Sequence, residues 1–344
     1  MASLTEFLAT IGEEVEDAEE ESFLLFSQDI PSANLGFVDS RATTIDLTIH
    51  DQDYTIHQSP TLLSSSRAGG TTGAVLWKIT PLIAEWLSNN TTTTTNTSSK
   101  LNPLWTHNIL TPTSTIVELG SGISALLALA LSPKIAHYIA TDQEYVQRLF
   151  RQNLDENAHA AATSTGRSKS SKSSAKKLAK APSSSSARKS QNQQQGNANT
   201  NGNVIFTSLD WELDVADSLK ESLGLCTTTS NDDSGEEEES EDKGFDVVVS
   251  CDCIYNEALV APFVRTCADL CRLRPVYTPS TTSMRTRRTP TVCVIAQQQR
   301  SHEVFEAWLR ETMRVFRVWR VSDEMLGEKL KSGSGYLVHV LVLK

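Results

Sequence analysis

Ile116-Val117-Glu118-Leu119-Gly120-Ser121-Gly122-Ile123-Ser124-Ala125 is the stretch whose reading decides the fold of this chain. An apolar pair runs into an acidic residue, then into Gly-x-Gly, then into the helical run Ala125–Leu131. The order reads as a buried strand, a glycine turn and the start of a helix. Glycines let the backbone approach a ligand closely, and a helix N-terminus offers free N–H groups. Asp142 follows 20 residues after Gly122, at the end of a second short apolar run, Tyr138-Ile139-Ala140. That spacing suits an acid that accepts hydrogen bonds from ribose hydroxyls. An adenosine-containing cofactor is therefore expected.

The strand–helix pattern continues on both sides. Strands are expected at Tyr138–Thr141, Val204–Ser208, Phe245–Ser250 and Val292–Ala296, with helices at Glu144–Asn157, Glu257–Arg272 and His302–Arg314. The centre of Phe245–Ser250 is fully apolar, as for a strand covered on both faces. Val315–Val321 and Tyr336–Leu343 follow one another across a Gly/Ser turn and suggest an antiparallel hairpin. The expected fold is α/β: a doubly wound, mostly parallel, seven-stranded sheet with that hairpin at its C-terminal end. Val75–Leu87 reads as a further helix, and residues 35–57 as an extra hairpin ahead of the core. The expected organisation is an acidic segment over residues 1–69, then one domain over residues 70–344. Low-complexity insertions interrupt that domain near 88–100, 158–203, 227–243 and 278–289, where composition cannot bury enough apolar area to offset ordering entropy.

The 344 residues carry a net charge of −11, which argues against binding nucleic acid through general electrostatics. The charge is uneven. Acids crowd residues 13–21 and 232–242, and the stretch 158–203 holds Lys and Arg but no acid; such runs read as solvated surface. The six cysteines include Cys251-x-Cys253 and the helix-spaced pair Cys267 and Cys271, with no Cys-x-x-Cys and no histidine at metal-motif spacing. Free thiols in a reducing compartment are expected, and no metal. The acidic N-terminus has no basic region followed by an apolar one, and no apolar run reaches ~18 residues. Neither a signal peptide nor a membrane span is expected, which leaves the cytoplasm or the nucleus.

Alone, Gly120-x-Gly122-x-x-Ala125 also fits a nicotinamide-dinucleotide fingerprint. Four elements together point elsewhere: Thr72-Gly73-Ala74-Val75-Leu76-Trp77; Val117-Glu118-Leu119-Gly120-Ser121-Gly122 with Asp142; Leu209-Asp210-Trp211; and Ser250-Cys251-Asp252-Cys253-Ile254-Tyr255. In this combination the chain resembles the seven-β-strand protein-lysine methyltransferases, in the branch with an Asp-x-x-Tyr motif after the fourth strand. Within that branch it is similar to the fungal ribosomal lysine N-methyltransferase 5 family. The resemblance covers about residues 70–343 apart from the insertions. The chain departs from the pattern at Cys251, where many relatives carry Ala, and at Gln297-Gln298-Gln299-Arg300.

The resemblance implies a class I, Rossmann-like methyltransferase that uses S-adenosyl-L-methionine and acts on a lysine of a large-subunit (60S) ribosomal protein, as a monomer. It implies cofactor-binding roles for Trp77, Glu118, Gly120, Ser121, Gly122, Asp142, Trp211 and Cys251, and catalytic roles for Asp252 and Tyr255. Each has a physical rationale. Glu118 suits the methionine ammonium or caps the following helix. Asp142 suits the ribose, and Trp211 packs on adenine. Trp77 offers a π-face to positive charge. Asp252 and Tyr255 stand at the carboxyl end of a central strand, where they position the acceptor nitrogen. A methyltransferase for another protein or a small molecule, and a non-catalytic cofactor-binding scaffold, remain the alternatives.

Overall fold

The computed structural model describes residues 2–31, 35–67, 70–90, 101–164, 202–217, 219–225, 244–274 and 289–344. Most of the four expected insertions, and Cys226, lie outside the described residues. Ten strands are described: β1 (Gly12–Glu14), β2 (Thr44–Ile49), β3 (Gln52–His57), β4 (Thr115–Leu119), β5 (His137–Asp142), β6 (Val204–Ser208), β7 (Val247–Cys251), β8 (Val292–Gln298), β9 (Phe316–Val321) and β10 (Tyr336–Leu343). Eight form one sheet in the order β1-β9-β10-β8-β7-β4-β5-β6. Pairing is parallel from β6 through β8 and antiparallel at β10, β9 and β1. The expected mixed sheet with a C-terminal antiparallel pair is present, and β10 inserts between β8 and β9.

Strand order runs outward from β4 through β5 and β6 on one side, and from β7 through β8 on the other. The direction reverses between β4 and β7, which is where open α/β sheets leave a crevice at the carboxyl edge of their strands. Side chains alternate across the sheet. Ile116 and Val249 join the core beneath helices Ile79–Ser88 and Leu126–Leu131, while Val117 and Val248 join the core beneath helices Val260–Arg272 and His302–Val315. Because both faces are covered, β4 is buried along its whole length.

Three details differ from expectation. The sheet has eight strands rather than seven, because Gly12–Glu14 adds β1 to the edge strand β9. A Cβ at Gly12 would collide with the Arg320 carbonyl, so glycine permits that close approach. The acidic run around β1 is not simply solvated: Glu14 pairs with Arg317 at 2.5 Å, and Glu13 and Glu21 both pair with Arg320. The helix expected from Val75 begins at Ile79 instead. Phe37 and Trp77 form an antiparallel bridge, closed by Val38 N–H to the Leu76 carbonyl and Lys78 N–H to the Gly36 carbonyl, both 2.9 Å. Long-range pairing there overrides the apolar spacing, and Pro81 falls in the first helical turn, where its missing donor costs nothing.

The hairpin β2–β3 is a separate two-stranded unit. Among the described residues no helix is long and apolar enough to cross a membrane, and no cluster of three or more His, Cys, Asp or Glu is placed to hold a metal.

Candidate active site

The turn after β4 is built around two glycines in the left-handed region, with φ of +70° at Gly120 and +59° at Gly122. A Cβ at Gly120 would strike the Cys253 sulfur and crowd the Trp211 ring at 3.5 Å. Glycine there permits close packing of the turn on Cys253. Four of the turn's N–H groups are already taken within the protein. The N–H groups of Gly120 and Ser121 both donate to the Thr141 carbonyl, Gly122 N–H donates to Asp142 Oδ2 at 2.8 Å, and Ile123 N–H donates to the Gly73 carbonyl. The helix itself starts only at Leu126 and runs six residues.

A cavity of about 490 Å³ opens in front of this turn, at the β4/β7 switch point. That is within the usual range for a site holding a small molecule. Gly120, Ser121, Gly122, Asp142, Trp77, Trp211, Cys251, Asp252 and Tyr255 all line it. The carboxyl edges of β4, β5 and β7 thus converge on one space.

Asp142 accepts N–H bonds on both oxygens, from Gly122 and from Gln143. Burial still outweighs those bonds and pushes its carboxyl up to about 6. Glu118 is not in the lining. Its side chain points to the Ile116 face of the sheet, where it is buried and accepts a 2.8 Å bond from the Tyr138 hydroxyl. Burial pushes it up to about 8, with the nearby Asp142 charge adding to the effect and the Tyr138 bond opposing it. Glu118 is thus a largely protonated acid behind the turn at neutral pH.

Trp77 donates its indole N–H to the Thr72 carbonyl at 3.0 Å and packs on Phe37. Trp211 meets Phe263 edge-on. Asp252 has φ +62°, a left-handed conformation rare for a residue with a side chain. Its N–H donates to the Ala296 carbonyl on β8, so the strained residue is pinned between two strands. Tyr255 is 41% exposed, and its hydroxyl lies 3.2 Å from that of Thr72.

Two residues at the site were given no role from the sequence, although Arg300 ends the segment where the chain departs from the family pattern. Tyr145 lines the cavity, and its hydroxyl accepts the Gly73 N–H at 3.2 Å. It stands three residues past Asp142, in the same turn, which is the signal that would have found it. Arg300 forms a bidentate pair with Asp252, and its guanidinium lies 4.8 Å over the Trp77 ring. It follows β8 at the same edge of the sheet as Asp252.

No family model matches the chain. Among curated proteins, it is 25% identical over 334 residues to the ribosomal lysine N-methyltransferase 5 of Vanderwaltozyma polyspora, covering 89% of this chain and 91% of that one. The chain resembles the ribosomal lysine N-methyltransferase 5 family. The Zygosaccharomyces rouxii protein of that name is 36% identical over 110 residues, which are 30% of this chain and 34% of that one. A Schizosaccharomyces pombe diaminohydroxyphosphoribosylamino-pyrimidine deaminase is 38% identical over 144 residues, 42% of this chain and 32% of that one. The chain thus spans about a third of the length of these last two relatives. Among solved structures, the spermidine synthase of Thermotoga maritima aligns with a TM-score of 0.36 and 10% identity, over 88% of this chain and 72% of that one.

Proposed function

We propose that this chain is an S-adenosyl-L-methionine-dependent protein-lysine N-methyltransferase and that its acceptor is a large-subunit ribosomal protein. The observation that carries the reading is the convergence of the glycine turn, Asp142 and the Asp252–Tyr255 segment on one cavity at the switch point. The names of the fungal relatives supply the acceptor class.

The residues fit the cofactor. Glycine at 120 and 122 lets the turn pack directly on Cys253 and on the Gly73 backbone at the cavity wall. Asp142 spends one lone pair of each oxygen on backbone N–H groups and keeps others for ribose hydroxyls. Trp211 forms an aromatic wall for adenine, and Trp77 lines the same cavity with the Arg300 guanidinium over its ring. The Cys251 backbone closes the space at the end of β7. When bound, the sulfonium would supply an activated methyl group for the acceptor's lone pair, with sulfur as the leaving atom and the extra amine proton passing to solvent.

This chain's contribution is alignment and exclusion of water. Tyr255, on the open side of the cavity, orients the acceptor nitrogen. At its ordinary pKa near ~10.4, only about one lysine in a few thousand is neutral at pH 7. The partly apolar walls favour the neutral form.

The test is transfer of labelled methyl from the cofactor to ribosomal protein of a strain lacking the gene. Label is expected in methyl-lysine on amino-acid analysis, with Asp142→Ala abolishing it. Label in another amino acid, or in a small molecule, moves the acceptor to another class. Cofactor binding with no transfer to any fraction points to a scaffold.

A further inference from the structure

Asp252 lines the cavity three residues before Tyr255, and its carboxylate is not free. Its side chain is 2% exposed and carries a two-pronged pair with Arg300. The Gln298 N–H donates to the same carboxylate at 3.2 Å. Arg300 is held in turn by the Gln298 side chain at 3.2 Å and by the Trp77 ring. Gln298 Oε1 also accepts the Gly36 N–H at 2.7 Å. The guanidinium therefore sits in a built seat rather than on a loose surface arm.

A lysine ammonium is a poor competitor for that seat. A guanidinium fork matches both oxygens of a carboxylate, whereas an ammonium meets it as a point charge. This bears on the chemistry, which rests here on the lysine methyltransferase reading. A lone buried carboxylate would bind the acceptor well and hold it protonated, with no lone pair to attack. Paired with Arg300, the same carboxylate contributes almost no net charge.

The other titratable groups around Asp252 do not restore one. Burial pushes up the thiols of Cys251 and Cys253 and the hydroxyls of Tyr255 and Tyr336, so all four stay neutral at working pH. Across the cavity, burial does the same to the Tyr145 hydroxyl. Asp142 stands on that far side with its oxygens on the Gly122 and Gln143 N–H groups. Asp210 and Glu212 also line the cavity, flanking Trp211, whereas next to Tyr255 the charge is the balance within the Asp252–Arg300 pair. We propose that Arg300 sets the protonation state of the acceptor: by cancelling the charge of Asp252 it keeps that carboxylate from holding the acceptor nitrogen as an ammonium ion. It is a positioning residue that acts through Asp252.

The experiment is the pH profile of kcat, from about pH 6 to about pH 10 across the approach to the lysine range. It uses the full chain, labelled cofactor and ribosomal protein from a strain lacking the gene. Calorimetry with S-adenosylhomocysteine runs alongside. In Arg300→Gln, the rising limb of kcat is expected to move alkaline by about one pH unit, as one charge a few ångströms away would do. KM for the acceptor is expected to fall, because the unpaired carboxylate now holds the ammonium. Arg300→Lys restores the limb toward the wild-type position. A limb that stays in place in Arg300→Gln while kcat drops overturns the proposal and leaves Arg300 a structural brace. If Arg300→Gln fails to bind S-adenosylhomocysteine, Asp252→Asn reads the same effect with the opposite sign. There the unpaired guanidinium moves the limb acid, and an unmoved limb overturns the proposal. A wild-type chain that binds S-adenosylhomocysteine but methylates no lysine overturns the underlying reading instead.

Discussion

Asp142 serves both the chain and the cavity, and protonation decides between them. Its oxygens tie down the Gly122 and Gln143 N–H groups at 2.8 and 2.7 Å. Burial lifts its carboxyl from an ordinary 3.8 to about 6. For folding, the sign is unfavourable. As pH rises from 3.8 to about 6, the unfolded chain gives up its proton first, so burying Asp142 costs stability over that window and no more above it. For a ligand that donates ribose hydroxyls the sign is the reverse, because only the carboxylate has its full set of acceptor sites. Affinity for S-adenosylhomocysteine is therefore expected to weaken as pH falls below about 6, approaching about tenfold per unit at the limit. Calorimetry between pH 5 and pH 8, below and above that point, reads it. Asp142→Asn should bind about a hundredfold more weakly at pH 7, since one backbone N–H loses its partner, and should lose the pH dependence. A mutant that kept the wild-type slope would place the titrating group elsewhere. Residues such as Gly120, Gly122 and Asp142 are legible in sequence because a short strand–turn–helix unit carries them. The Arg300–Asp252 pair is not, because it joins positions 48 apart at the ends of two strands whose adjacency only the fold establishes.

At the scale of elements, two asparagines stand in for a strand. Asn153 and Asn157 project from helix Gln147–Ser164 and each bonds both backbone groups of one residue of β3. Asn153 takes the His57 N–H at 2.7 Å and donates to the His57 carbonyl at 2.8 Å, and Asn157 does the same at Thr55, both at 2.9 Å. Asn153 also donates to the Ile123 carbonyl at 2.7 Å. One buried amide therefore links the hairpin β2–β3 to the glycine turn. Asn153→Ala removes the partner of three backbone groups in two chain segments, the His57 N–H and carbonyl and the Ile123 carbonyl. It is expected to cost about 2–4 kcal/mol in denaturant unfolding. It should also weaken S-adenosylhomocysteine binding through the loosened turn. Asn157→Ala, which does not reach the turn, should cost stability with little effect on binding. Equal binding by both variants would remove the link from hairpin to site. The amphipathic pattern predicts the helix around these residues, yet it treats Asn153 and Asn157 as ordinary polar positions. Their role depends on β3 lying alongside, just as Trp77 left the expected helix because residues 36–38 lie alongside it.

For the whole molecule, the N-terminal segment is the piece that finishes the sheet. Val15 N–H donates to the Val318 carbonyl and Ser322 N–H to that of Ile11, while Gln299 reaches the Leu25 carbonyl at 3.0 Å from the strand end that leads to Arg300. An acidic run of this kind carries no apolar period, so its strand is invisible until β9 offers arginines and an open edge. Covering that edge also removes a row of unpaired backbone groups that would invite association. The pairs of Glu13 and Glu14 are exposed and worth little each. Glu21 is different. It is buried, pairs with Arg320 at 2.9 Å, and lies 3.7 Å from His339, which is fully buried against Trp308 and Phe305. Burial alone would raise the Glu21 carboxyl, but His339 and Arg320 together hold it below its ordinary value. A lowered carboxyl contributes stability that is present above the unfolded value of 4.5 and lost as pH falls through the folded one. Glu21→Leu is therefore expected to cost about 3 kcal/mol near neutral pH, where it removes one partner of a buried pair. The cost should shrink as pH falls below 4.5 and through the lowered folded value. Hydrogen exchange over Ala18–Phe26 measured at both pH values is the direct readout, because that helix should open first. Equal exchange in mutant and wild type near neutral pH would mean that apolar packing, and not the Glu21 pair, holds the segment to the sheet.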